Sequence, residues 1–93
     1  MIEKTHKSLG VTIKVDELSQ GMLESYLDEM NGKNNLPIGK YYGEIVRAAV
    51  KVGWLVEPAW TVDEVKSQKP AAVRWIGEQL DKLYGEATTV PPE

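Results

Sequence analysis

The stretch Pro70–Ala87, PAAVRWIGEQLDKLYGEA, constrains the fold more than any other part of the chain. Val73, Ile76, Leu80, Leu83, Tyr84 and Ala87 recur at three- and four-residue steps, which sets them on one stripe of an α-helix. Arg74, Glu78, Asp81 and Lys82 fall on the other side, with Glu78 four residues ahead of Lys82 in the favourable order. Pro70 suits the first helical turn, where its missing N–H would have no partner anyway. Trp75 borders the stripe and is positioned to cover the seam with whatever packs there. An apolar stripe of this width must be buried, so the preceding residues have to supply the covering layers.

Residues 1–8 are polar and mixed in charge and are expected to fray. Leu9, Val11, Ile13 and Val15 then alternate with Gly10, Thr12, Lys14 and Asp16, the period of a half-buried strand. Such a strand needs a hydrogen-bonding neighbour. Trp54–Val56 is the first internal candidate, Ile2–Thr5 the second, and another chain the remaining possibility. Asp16 and Ser19 are both acceptable N-caps for a helix whose buried stripe is Leu23, Tyr26, Leu27 and Met30, with Met22 at its edge. Asn31-Gly32 should close it.

A second helix is predicted from Ile38 or Gly39 to Val52, with Ile38, Tyr42, Ile45, Val46, Ala49 and Val50 on its apolar face and Gly53 as its stop. The small residues Ala48 and Ala49 would let another helix come close. WLVEPAW, residues 54–60, has no helical period and is broken by Pro58, so it reads as a strand and turn or as a buried loop. Thr61 and Glu64 form a capping box opening a short helix that Lys69-Pro70 should end or bend. Thr88–Glu93 is expected as an extended tail. The expected architecture is a single small α+β domain, mostly α. It has a short N-terminal strand or hairpin and three to four helices packed on the Pro70–Ala87 helix, a reasonable load for 93 residues and one core.

Zero cysteines excludes disulfides and thiolate metal sites. With no phenylalanine, three tryptophans and four tyrosines supply the aromatic bulk. MIEKTHKSLG has no apolar run of signal-peptide length and no stretch approaches a membrane span, which predicts a cytoplasmic protein without a membrane partner. His6, the only histidine, is expected to be solvated, since nothing near it in sequence would orient it. No nucleophile elbow and no glycine-rich phosphate loop is present. The carboxylates read as helix caps and solvated faces, so no catalytic residue, metal site or cofactor is expected.

The remaining function class is binding. Two or more of Trp54, Trp60 and Trp75 are expected in the core, and one left exposed beside Leu55 and Pro58 would anchor a partner protein. The candidate partner-binding set is therefore Trp54, Leu55, Pro58 and Trp60, with Val90 and Pro91 of the extended tail. An alternative is a small nucleic-acid-binding face of Lys40, Tyr41, Arg47 and Lys51, although the net charge of −3 works against phosphate binding. Residues 16–30 carry five acidic and no basic residues, while 33–51 carry four basic residues against Glu44 alone. These segments can attract each other within one chain or join copies into a homo-oligomer.

Val15-Asp16-Glu17-Leu18-Ser19-Gln20-Gly21 and the closing VRWIGEQLDKLYGEATTVPPE resemble small proteins encoded among bacteriophage and prophage tail genes, some of them tail assembly chaperones. The resemblance touches about half the chain. It implies a non-enzymatic role in tail morphogenesis, binding other tail components in the bacterial cytoplasm or in the virion.

Overall fold

The computed structural model describes all residues, Met1–Glu93. Three antiparallel strands, β1 (Ile2–His6), β2 (Val11–Val15) and β3 (Leu55–Glu57), lie in the order β1-β2-β3. They pack with three α-helices, α1 (Gln20–Met30), α2 (Ile38–Lys51) and α3 (Pro70–Thr88). A 3-10 turn, Glu64–Ser67, precedes α3. The two internal candidates for pairing with β2 are both used, one on each side. The N-terminal residues expected to fray thus form a strand, because β2 offers them a complete antiparallel ladder from Ile2↔Val15 to His6↔Val11. Gly10, with φ of 64°, supplies the left-handed residue of the connecting turn.

Alternation sorts the sheet into two faces. Ile13 and Val15 are fully buried against the helices. The opposite face is polar: the Thr5 and Thr12 hydroxyls lie 3.0 Å apart, and Lys14 sits between Glu3 and Glu57 at 4.0 and 3.7 Å. Short β3 is held by Val15↔Leu55 and Lys14↔Glu57, with an irregularity between them, and by the Asp16 N–H donating to the Trp54 carbonyl at 2.9 Å.

Helix α1 begins at Ser19, whose hydroxyl accepts from the Met22 N–H at 3.2 Å. Its buried residues are Tyr26 and Met30, whereas Leu27 of the expected stripe is 46% exposed. Helix α2 buries Ile45, Val46, Ala48 and Ala49, but Ile38 at its start is 56% exposed. Gly53, with φ of 80°, turns the chain from α2 into β3. Helix α3 buries Ile76, Leu80 and Leu83, while Ala87 at the end of the expected stripe is exposed. The helix continues to Thr88, where the Thr88 and Thr89 hydroxyls donate to the Tyr84 and Gly85 carbonyls, and the tail begins one residue later than expected.

The element touched by most others is α2, which contacts α1, α3, β3 and the 3-10 turn. This corrects the expectation that the helices gather on α3. Helices α2 and α3 come very close at Gly77, where a Cβ would stand 2.7 Å from the Tyr42 Cβ and 3.0 Å from its carbonyl oxygen, and Ala48 and Ala49 are buried in the core. Trp75 covers a seam as expected, its ring 5.5 Å from that of His6 and near-perpendicular to it. No helix is long and apolar enough to cross a membrane.

Candidate functional site

The tryptophan patch does not form. Trp54 is 1% exposed and Leu55 5%, both in the core, with Trp54 edge-on to Tyr26 at 5.4 Å. Gly53 and the Val15↔Leu55 pair turn these two side chains inward, so neither can meet a partner. Pro58 and Trp60 are half-buried, Trp60 against the core, and Val90 and Pro91 stand out in the exposed tail. The six residues do not make one surface.

His6 also differs from expectation. It is half-buried, and its Nδ1 accepts the Leu9 N–H at 3.2 Å, so the β-turn and Trp75 orient the ring. No carboxylate, hydroxyl nucleophile or second imidazole is hydrogen-bonded to it. No group of three or more His, Asp or Glu side chains converges as a metal site would require.

The largest concavity, about 480 Å³, lies elsewhere, between the first half of α2, the 3-10 turn and the first turn of α3. That volume is in the range of small-ligand clefts. Four cations border it: Lys40 and Arg47 from α2, Lys66 from the 3-10 turn and Arg74 from α3. Gly39 and Gly43, one helical turn apart, floor it on the α2 side, so the backbone itself forms that wall. Neither α2 nor α3 carries a side-chain N-cap, and both begin at this groove, adding the positive ends of two helix dipoles. The capping box holds the third wall: the Thr61 N–H donates to Glu64 Oε1 at 3.0 Å and the Glu64 N–H to Thr61 Oγ1 at 3.2 Å.

The charges are only partly spent inside the chain. Arg47 is paired with Glu44, which also receives Lys33 at 2.9 Å. Partial burial disfavours ionised Glu44, but the hydrogen bonds and charges of Lys33 and Arg47 outweigh it and hold the carboxyl below its usual range. Two cations on one anion leave this trio net positive. Arg74 lies 3.5 Å from Glu78, with its guanidinium 5.7 Å from the centre of the Tyr42 ring. Lys40 and Lys66 are exposed and have no carboxylate within ion-pair distance.

The alternative face read from sequence is thus half assembled. Lys40 and Arg47 meet in the groove. Tyr41 turns toward Tyr26 and Tyr84 instead, and Lys51 is tied to Glu29 of α1 at 2.9 Å. That ion pair is the within-chain attraction between acidic and basic segments. Lys66 and Arg74 belong to other elements, so no spacing along the chain links them to Lys40 and Arg47; the i, i+4 glycines of α2 are the one sequence signal of the groove.

No family model, curated protein or solved structure matches this chain, so no residue role comes to it from a relative.

Proposed function

We propose that this protein is a non-enzymatic interaction domain that takes an acidic stretch of a partner protein in the groove between α2, the 3-10 turn and α3. The observation that carries this reading is the convergence of Lys40, Arg47, Lys66 and Arg74 on one cleft of a chain whose total charge is −3. A cationic cleft on an acidic molecule is a local feature, since the overall charge would otherwise set the surface potential. Carboxylates would pair with Lys40 and Lys66, and the glycine floor lets an extended backbone lie close.

Nucleic acid is the weaker fit. No aromatic ring lines the cleft for bases to stack on. The resemblance to phage tail-region proteins supports an assembly setting, in which the acidic stretch belongs to another tail component or to a further copy of this chain.

The test is a fluorescence-anisotropy titration with a labelled acidic peptide, its neutral glutamine counterpart, and single- and double-stranded oligonucleotides. The acidic peptide should bind with an affinity that falls with salt, and Lys40→Ala/Lys66→Ala should weaken it about twofold to thirtyfold, the scale of two exposed ion pairs. Tight oligonucleotide binding lost in the same variant, with no peptide binding, would transfer the groove to nucleic acid.

A further inference from the structure

On the other side of α2 lies a second, smaller pocket of about 90 Å³ that shares no residue with the basic groove. Tyr26 and Leu27 of α1, Asn34 of the α1–α2 loop, Tyr41 of α2, and Asp81 and Tyr84 of α3 line it. Three tyrosines and a carboxylate from three helices thus face one small space, and the fold makes little use of their polar atoms.

Tyr26 is 4% exposed, yet its hydroxyl takes part in none of the side-chain hydrogen bonds of the chain. No buried side-chain oxygen or nitrogen lacks a partner, so that hydroxyl must open onto the pocket. Asp81 is half-buried and has no Lys, Arg or His within ion-pair distance. Its carboxylate also takes part in none of the side-chain hydrogen bonds of the chain, so it is free to receive a ligand. The rings add negative π faces: Tyr26 and Tyr84 lie 5.7 Å apart, tilted by 40°. Tyrosine phenols are neutral at pH 7, and burial, with the nearby Asp81 charge, raises the Tyr26 and Tyr41 pKa values further, so the phenols carry no charge in the pocket.

We propose that this pocket binds a primary alkylammonium group, such as the end of a lysine side chain. An ammonium carries three donors, matching the Asp81 carboxylate, the Tyr26 hydroxyl and the Asn34 amide oxygen. A space of about 90 Å³ admits the ammonium head and its first carbons. Leu27, 46% exposed at the rim, covers the alkyl stem. An anion is repelled by Asp81, and a quaternary ammonium has no N–H for the oxygens.

The test follows the Tyr26 and Tyr84 ring resonances by NMR while n-butylammonium, an acetyl-lysine-amide peptide unit or tetramethylammonium is added to the full chain. Both primary ammonium probes should shift the resonances saturably in the millimolar range. A tighter response to the lysine unit would assign a protein ligand, and an equal or tighter response to butylammonium a free amine. Asp81→Asn should abolish the shifts while leaving the thermal midpoint unchanged, because the Asp81 carboxylate makes no ion pair within the fold. Tyr26→Phe should weaken them about threefold to tenfold, as expected for one lost hydrogen bond to a charged group. Absence of saturation, equal shifts with tetramethylammonium, or unchanged shifts in Asp81→Asn would each overturn the proposal.

Discussion

Two glycines show how one residue type serves opposite ends. Gly77 is required by the fold, because any Cβ there would collide with the Tyr42 side chain and backbone. Gly43 is not: a Cβ there would meet only the Arg47 guanidinium, at 3.8 and 3.9 Å, in ordinary contact. Both lie inside helices, where alanine is favoured over glycine by about 1 kcal/mol. Gly77→Ala should nonetheless destabilise the protein by about 1–3 kcal/mol, the range of an overpacked core. Gly43→Ala should stabilise it by up to about 1 kcal/mol while narrowing the groove and weakening the acidic peptide. Urea midpoints for the two variants check the first contrast and anisotropy the second. A Gly43→Ala protein that binds unchanged would count against a ligand on the α2 backbone.

At the scale of elements, the groove depends on a segment with little stability of its own. A four-residue 3-10 turn has few internal hydrogen bonds, so the reciprocal bonds between Thr61 and Glu64 fix its start. The Ser67 hydroxyl and the Gln68 amide hold its end by donating to the Glu64 carbonyl at 2.8 and 3.0 Å. Thr61→Ala should cost about 1 kcal/mol, the scale of one lost hydrogen bond, here the one from the Glu64 N–H. Amide exchange should speed up locally over residues 64–68 and leave α2 and α3 protected. The same variant should weaken peptide binding with no cation removed, because Lys66 and Gln68 lose their fixed position on the wall.

At the scale of the whole molecule, α2 is the shared wall. It separates the basic groove, with Lys40, Gly43 and Arg47, from the tyrosine pocket, with Tyr41, while its buried residues meet the rest of the core. The Cα radius of gyration, 12.8 Å, is near the roughly 12 Å expected of a folded chain this long, so both concavities belong to one compact body. Global stability should respond to Glu44, which ties Lys33 ahead of α2 to Arg47 within it. Its carboxyl is lowered in the folded state, so its stabilisation is complete above the unfolded value of about 4.3 and fades as pH falls through the folded value. Glu44→Gln should be less stable than the parent at neutral pH. Its urea midpoint should converge on the parent's as acidification protonates Glu44; a gap that persists in acid would remove the carboxylate from the explanation.

The sequence alone determined what depends on neighbours along the chain. The periodicity of Val73–Tyr84, the Thr61–Glu64 box and the helix-ending glycines are local and are seen; of the two caps open in sequence, Ser19 is used, and the alternation read from Leu9 holds from Val11, Leu9 lying in the turn. Periodicity also nominates which residues can be buried, but it cannot say which will be covered, as Leu27, Ile38 and Ala87 show. Tertiary structure decided three things: that Trp54 and Leu55 turn inward, that residues 2–6 complete a sheet, and that Lys66 and Arg74 join Lys40 and Arg47. The hairpin depends on how fully residues 2–6 match β2, and the other two on segments distant in sequence being packed together. A site built from such segments leaves no contiguous motif, because side-chain proximity is set by the packing of α2 against α3 and the sheet.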